Sequence, residues 1–172
     1  SRREYRVEKG SIEFRNVSFR YFKNVGALVL DDVSVKIEPG EFVGIIGSTG
    51  SGKSTFVSLI PRLYDPDAGE VLVDGIDVKE LSLHELRESV AVVLQKNTLF
   101  SGTIAENLRW GNEEASDEEL EEVCRIAQAD SFIRSFPDGY ETQIGQGGGN
   151  LSGGQKQRLC IARALLKKPK IM

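Results

Sequence analysis

The first third of the chain alternates between apolar and polar residues with a period of two, as β-strands with one buried face do. The alternation runs through residues 12–21 and returns at 33–37, where Glu38-Pro39-Gly40 ends it as a turn. These stretches predict an antiparallel sheet at the start of a domain. Mostly apolar runs at 41–46 and 90–94 predict two further short strands, both of them buried.

Helical periodicity dominates the rest of the chain. Stretch 116–129 has apolar residues at i, i+3, i+4 and i+7 behind a capping box, in which a serine precedes a glutamate by three positions. Stretch 152–168 starts at a serine suited to the N-cap position and ends just before a proline. Shorter elements complete the prediction: helices at 54–60, 82–88 and 131–136, and a strand at 70–73.

Size and charge narrow the class of protein. A chain of 172 residues has room for one domain with a substantial core. Its net charge of −4 provides no basic field for nucleic acid, and no segment approaches the ~20 apolar residues of a membrane span. The two cysteines lack metal-ligand spacing, which favours a reducing, cytosolic compartment. The charged stretch 1–10 has no clear period and is predicted to be a linker that follows another segment.

A phosphate-binding loop is the most specific chemical signal. The sequence GSTGSGKST at Gly47–Thr55 fills every fixed position of G-x-x-x-x-G-K-[ST], between a predicted strand and a predicted helix, as that motif requires. Its glycines permit positive φ angles, so backbone N–H groups can approach phosphate oxygens, and the helix adds its positive dipole end. Lys53 is expected to reach the β- and γ-phosphates, and the Ser54 hydroxyl is expected to bind Mg²⁺.

Two more stretches are weaker signals when each is taken alone. Gln95 follows the predicted strand 90–94, and ligands of open α/β sheets bind beyond the carboxyl ends of strands, so Gln95 either faces a nucleotide or is a surface residue. The sequence LSGGQ at 151–155 opens a helix with two glycines, which allow an anion to approach the backbone N–H groups. An ordinary capped helix after a Gly-rich loop is the simpler interpretation of that stretch.

The order of these three features resembles the nucleotide-binding domain of ATP-binding-cassette (ABC) transporters. The resemblance covers residues 11–172, and LSGGQ at this distance from a P-loop is highly specific for the family. It implies an α/β fold, in which a P-loop NTPase core with a mostly parallel sheet carries an N-terminal antiparallel β subdomain and an α-helical subdomain at about 97–160. The linker at 1–10 would then follow a membrane domain.

The resemblance also assigns roles to individual residues. Tyr21, which ends the strand sequence VSFRY, is the candidate for stacking on adenine, although cross-strand packing would also account for it. Gln95 matches the glutamine that touches Mg²⁺ and the attacking water, and Lys53 is the other catalytic residue. LSGGQ would close over the γ-phosphate of ATP held by the P-loop of a second domain. The implied ATP contacts are Tyr21, Gly47, Ser48, Thr49, Gly50, Ser51, Gly52, Lys53, Ser54, Thr55 and Gln95 within the chain, with Ser152, Gly153, Gly154 and Gln155 acting in trans.

Residues 99–108, LFSGTIAENL, are similar to the segment that follows this glutamine in exporter-type members. The resemblance therefore implies an ATPase that powers export. Its partners would be a second nucleotide-binding domain, identical or different, and transmembrane domains on the cytoplasmic side of a membrane, without nucleic acid. One alternative is a nucleotide-binding but catalytically silent half of a heterodimeric transporter. The other is a soluble ABC protein acting on DNA or ribosomes.

The sequence departs from the family pattern at two places. The chain stops at 170–172, which look like the first residues of the strand that carries the Mg²⁺-linked aspartate and the catalytic glutamate. The C-terminal part of the core, that glutamate and the switch histidine are thus outside the chain, which alone is expected to bind nucleotide weakly and to hydrolyse it slowly or not at all. Gln143, Gln146 and Gly147 stand where many exporters have two acids and an arginine, which is compatible with a heterodimeric exporter.

Overall fold

The structure is a computed structural model that describes residues 5–23, 25–96 and 98–172, so the first four positions of the predicted linker at 1–10 lie outside it. Contacts divide the chain into two compact units, the first extending to Val90 and including Ile171, the second comprising Ala91–Lys170 and Met172. The strands and α-helices of the described residues are β1 (Ile12–Phe19), β2 (Leu30–Ile37), α1 (Lys53–Leu59), β3 (Ala68–Val73), β4 (Ile76–Asp77), α2 (Leu83–Ser89), β5 (Gly102–Thr103), α3 (Ile104–Arg109), α4 (Asp117–Ile126), α5 (Asp130–Ser135), β6 (Gln143–Ile144) and α6 (Gly153–Leu166).

The first unit is built on an antiparallel sheet with the strand order β2-β1-β3-β4, which confirms the predicted sheet. β1 pairs with β2 on one side and with β3 on the other, and Phe14 lies opposite Val35 and Val71 in the two ladders. A register shift between Phe14 and Val17 accompanies a positive φ of 48° at Asn16. This irregularity explains why the apolar alternation changes phase inside the strand while its apolar residues stay buried.

The two apolar runs predicted as buried strands differ from the structure. Residues 41–46 are exposed and form no strand, and Phe42 is fully exposed. The run 90–94 contributes only Val90, which makes an isolated parallel bridge to Ile171. A strand forms when a neighbour takes up its backbone hydrogen bonds, and no strand of the described residues pairs with 41–46. The prediction of buried strands in these runs is therefore wrong for the described residues, because apolar composition does not provide a pairing partner.

The second unit is mainly helical. α4 begins with the predicted capping box, in which Ser116 Oγ accepts from the N–H of Glu119 and the glutamate carboxylate accepts from the serine N–H. The two cysteines, Cys124 and Cys160, are free and buried within helices, and burial raises the pKa of the Cys124 thiol to about 11. No helix of the described residues is both long enough and apolar enough to cross a bilayer.

A buried asparagine organises the start of this unit. Asn107, in α3, is 2% exposed, and its side chain accepts from the N–H of Phe100 and donates to the carbonyl oxygens of Phe100 and Thr103. Thr103 is also the N-cap of α3 and forms a capping box with Glu106. The exporter-like segment 99–108 is therefore one hydrogen-bonded structure, in which the buried amide replaces backbone pairing.

The carboxylate of Asp74, in the turn after β3, holds the segment that enters the domain. It accepts hydrogen bonds of 2.7 to 2.9 Å from the four consecutive backbone N–H groups of residues 8–11. The preceding N–H, of Val7, donates to Glu85 Oε1 at 3.0 Å. Burial alone would raise the pKa of Asp74, but the backbone hydrogen bonds outweigh it and hold the pKa below its ordinary value. Two carboxylates thus fix the entering segment through its backbone.

We expect Asp74→Asn to weaken this contact, because the amide loses the negative charge and one of the two acceptor oxygens. The free energy of opening at residues 8–11 should fall by about 1–3 kcal/mol. Hydrogen exchange of these amides in the full-length native protein measures it, and the expected acceleration is about 5- to 150-fold. Asp31→Asn, at an exposed position in β2, is the matched control. Equal protection in the two variants would contradict the role given to Asp74.

The same contact should depend on pH. Because the folded pKa of Asp74 lies below its ordinary value of 3.8, the stabilisation is complete well above pH 3.8 and is lost as the pH falls through the folded pKa. The difference in unfolding midpoint between the native protein and Asp74→Asn should therefore shrink in acid. A difference that stays constant from neutral pH down to about pH 2 would rule out the charged carboxylate as its cause.

Candidate functional site

The side-chain amine of Lys53 closes the loop that precedes α1. Its Nζ donates to the carbonyl oxygens of Gly47 and Ser48 at 2.7 and 2.8 Å and lies 3.4 Å from Ser51 Oγ. Lys53 is the first residue of α1, so the start of the helix places its amine next to the carbonyl oxygens of the preceding loop. The first N–H groups of a helix have no acceptor within it. This loop therefore combines a positive side chain with backbone donors, the chemistry of an anion cradle.

Glycine is required by the backbone at two positions of this loop. Gly50 and Gly52 have φ angles of 80° and 93°, in the region that residues with a Cβ rarely adopt. Gly52, the N-cap of α1, also has no room for a side chain, because an added Cβ would lie 2.9 Å from the carbonyl oxygen of Val29. The loop thus takes its shape from glycine conformation and from a close approach to the residues just before β2.

Tyr21 is joined to the same helix. Its hydroxyl lies 2.6 Å from Thr55 Oγ1, and Thr55 is 4% exposed. The Tyr21 ring makes edge contacts with the rings of Phe19 and Tyr64, at centroid distances of 5.0 and 5.3 Å, yet the residue stays 48% exposed. An aromatic surface is therefore held beside the helix that follows the glycine-rich loop, within the first unit.

The start of α6, in the second unit, carries the LSGGQ sequence. Ser152 is the N-cap, as predicted, and its Oγ accepts from the N–H of Gln155 at 3.2 Å. The Gln155 side-chain oxygen accepts from the N–H of Ser152 at 3.0 Å, which completes a capping box. Leu151 is buried, while Ser152 is exposed. A hydroxyl that accepts one hydrogen bond still has a proton to donate, so the Ser152 hydroxyl can also bind an external acceptor.

The two glycines of α6 have no structural need for glycine within the described residues. A Cβ added to Gly153 or Gly154 would meet nothing within 4 Å, and neither residue has a positive φ. Glycine nevertheless lowers helix stability by about 1 kcal/mol per residue relative to alanine. Packing within the described residues therefore does not explain why this helix begins with two glycines.

The structure brings some of the predicted residues together. The P-loop residues and Tyr21 lie in the first unit and are linked through Thr55, whereas Gln95 and residues 152–155 belong to the second unit. Gln95 is exposed, and its role stays a prediction. The sequence analysis missed the Tyr21–Thr55 hydrogen bond. Its only signal was a threonine hydroxyl on the inward face of a short amphipathic helix, which requires a partner.

The chain is similar to a known protein family and to several individual proteins. A family described as "ABC transporter" matches residues 30–172. ABC transporter B family member 2 of Dictyostelium discoideum is 44% identical over 95% of this chain and 12% of its own length. The ATP-dependent lipid A-core flippase of Chromobacterium violaceum is 48% identical over 95% of this chain and 28% of its own length. A solved structure of a bacterial Atm1-family ABC exporter with ATP bound covers 96% of this chain and 29% of its own, with a TM-score of 0.86 and 38% identity.

The chain belongs to the ABC transporter family. Its relatives include exporters, and its fold is the mixed α/β fold of an exporter nucleotide-binding domain, with an antiparallel β subdomain and helices. The family and the fold class predicted from the sequence are thereby confirmed. The chain spans less than a third of the length of these relatives.

Substitution of Gly52 should distinguish close approach from ordinary loop strain. Gly52→Ala combines a positive φ with overlap at the Val29 carbonyl, so we expect it to lower the free energy of unfolding by at least about 2 kcal/mol. Gly40→Ala is the matched control, because Gly40 has a φ of 79° and nothing within 4 Å of an added Cβ. It should lose only about 1 kcal/mol. Urea unfolding of the full-length native protein measures both, and equal losses would contradict the close approach.

Proposed function

We propose that this chain binds ATP as part of the nucleotide-binding domain of an ABC exporter, and that the full-length protein hydrolyses this ATP to power transport across a membrane. The observation that carries the proposal is the loop closed around the Lys53 amine at the start of α1, in a chain of the ABC transporter family. A similar exporter structure described as having ATP bound supports it.

The P-loop would hold the phosphates. Phosphate oxygens are stronger acceptors for an ammonium group than neutral carbonyl oxygens are, so Lys53 Nζ would exchange Gly47 and Ser48 for the β- and γ-phosphates. The positive φ angles of Gly50 and Gly52 let the loop present backbone N–H groups to the same oxygens. Lys53 would then stabilise the negative charge that moves between the phosphates during transfer.

The residues present also fit a magnesium ion. Ser54 follows Lys53 in the first turn of α1 and is exposed, and its hydroxyl is a hard oxygen ligand of the kind that Mg²⁺ prefers. Gln95 is proposed as a second ligand, which also orients the attacking water. When bound, Mg²⁺ neutralises charge on the phosphates. The protein's contribution is to place the Ser54 oxygen next to the lysine that binds the same phosphates.

Tyr21 is proposed as the surface for the adenine base. Its half-exposed ring lies beside the P-loop helix, and base–aromatic stacking contributes about 1–3 kcal/mol. The edge contacts with Phe19 and Tyr64 account for the position of the ring but leave it exposed. Stacking therefore explains the exposure of a large aromatic residue at this point, which cross-strand packing alone does not.

The LSGGQ end of α6 is proposed to act on a second nucleotide-binding domain arranged head to tail. The support is the pair of glycines at Gly153 and Gly154, which the chain's own packing does not require. A partner's γ-phosphate could approach this bare backbone closely and meet the N–H groups and the positive end of a 14-residue helix. Ser152 and Gln155 would add side-chain contacts to the same phosphate.

The other proposed partners are transmembrane domains, with this chain on the cytoplasmic side of the membrane. The relatives are exporters of which this chain covers a small part, and its net charge of −4 counts against binding to nucleic acid or ribosomes. The loop 142–148, which many exporters use toward the membrane domain, carries Gln143 and Gln146 here in place of acids. This difference is compatible with a second candidate, a nucleotide-binding but silent half of a heterodimeric exporter.

Lys53→Ala should abolish ATP binding at working concentrations. The variant removes the positive charge from the cradle, and we expect a loss of at least about 3 kcal/mol, more than 100-fold in Kd. Calorimetric titration with MgATP and phosphate release measure binding and turnover in the full-length native protein. Lys79→Ala, at an exposed position of the same unit, is the control. Unchanged affinity of Lys53→Ala for MgATP would refute the P-loop assignment. If the native protein binds MgATP but releases no phosphate, the result would favour the catalytically silent half of a heterodimer.

The head-to-tail arrangement can be tested in a homodimer by placing two substitutions either in different copies or in the same copy. When one copy carries Lys53→Ala and the other Gly153→Asp, both lesions fall in one composite site and the other site stays intact. When one copy carries both lesions, each site is damaged. Nucleotide retained after rapid desalting should survive in the first arrangement and disappear in the second. The same retention in both arrangements would contradict binding in trans, and the open space at Gly153 argues against local misfolding.

A further inference from the structure

We infer that the Thr55 hydroxyl is a positioning residue for the Tyr21 ring and thereby sets how tightly the site holds the base of a nucleotide. The inference rests on the nucleotide binding proposed above. It adds a second role to the helix that carries the phosphate-binding lysine, since the same turn of α1 would also control the surface on which the base lies.

The geometry of the hydrogen bond is the first step. Tyr21 Oη and Thr55 Oγ1 are 2.6 Å apart, although the residues are separated by 34 positions in the sequence. Thr55 is 4% exposed, so its hydroxyl has little access to water. Leaving a buried hydroxyl without a partner is unfavourable, and Tyr21 supplies that partner. Burial of the Thr55 hydroxyl in the core of the unit therefore favours this hydrogen bond.

The second step is the way the ring is held. Phe19 and Tyr64 contact it with interplanar angles of 85° and 88°, so both contacts are edge-to-face. Such contacts fix the position of the ring but leave its hydroxyl end free to move. The hydroxyl is at the far end of the side chain from the backbone, and tethering it there removes this freedom. Tyr21 is thus a rigid ring with 48% of its surface exposed.

The consequence concerns binding energy. Stacking on a base requires one orientation of the ring, and a ring that must first be ordered loses part of the stacking energy as entropy. Thr55 would remove that loss before the nucleotide arrives. The hydrogen bond of Thr55 reaches the base through Tyr21, so its loss should be specific for ligands that carry a base, whereas a direct contact of Thr55 with phosphate would affect all polyphosphates equally.

The experiment compares ATP with inorganic tripolyphosphate in the full-length native protein, by calorimetric titration in the presence of Mg²⁺. Thr55→Val keeps the volume of the side chain and removes the hydroxyl. Loss of one hydrogen bond should weaken ATP about three- to tenfold more than it weakens tripolyphosphate. Thr55→Ser, which retains the hydroxyl, should restore the ratio of the two affinities. Tyr21→Phe should show the same selective loss, and adding Thr55→Val to it should cause no further loss.

Ser89→Ala is the matched control, because Ser89 is a buried residue of the same unit and its hydroxyl donates to the carbonyl oxygen of Glu85 at 2.8 Å. It should leave both affinities unchanged. Equal weakening of ATP and tripolyphosphate by Thr55→Val, or no effect on either, would overturn the inference while leaving the proposed function intact. Additive losses in the double variant would overturn it as well. Native protein that binds neither ligand would instead refute the proposed nucleotide site.

Discussion

The first unit depends on how closely the start of α1 can approach strands β1 and β2. Gly52 lies so near the carbonyl oxygen of Val29 that only a residue without a Cβ fits. One turn further, Phe56 stacks on Phe14 of β1 with ring centroids 4.1 Å apart, and Thr55 is buried between these two contacts. The P-loop conformation is therefore set by the same packing that forms the core. A change in that packing would alter the loop even where no loop residue is replaced.

Consecutive backbone N–H groups meet the negative charge of one carboxylate in this chain. Asp74 accepts four of them from residues 8–11, and Gly10 within that segment has a φ of 85°, close to the 80° of Gly50 in the P-loop. In the first case the anion is a side chain of the protein, and in the second it is the proposed phosphate. The lowered pKa of Asp74 shows that such donors favour the charged form. In the proposed function, the P-loop would apply the same interaction to a ligand and would add the Lys53 amine.

Much of the fold could be predicted from the sequence, because its signals are local. The alternation in β1 and β2, the serine caps of α4 and α6 and the glycine-rich loop each depend on neighbours within a few residues. The strands expected at 41–46 and 90–94 could not be predicted reliably, since a strand needs a partner from elsewhere in the chain and apolar composition does not provide one. The bond between Tyr21 and Thr55 was hidden for the same reason, because neither residue shows in the sequence which distant group it meets.

The two candidate nucleotide contacts, α1 in the first unit and α6 in the second, are each held by hydrogen bonds within their own unit. At α6, Ser152 and Gln155 satisfy each other's backbone N–H groups, so the helix end has a fixed shape although it faces solvent. At α1, the Lys53 amine is held by two carbonyl oxygens of its own loop. Ordering a flexible group on binding costs roughly 0.5–1.5 kcal/mol for each side chain. A surface that is already ordered avoids this loss, so affinity depends on the exchange of one set of hydrogen bonds for another. Neutral carbonyls at Lys53 are weaker acceptors than phosphate, and this difference is what would favour the bound state.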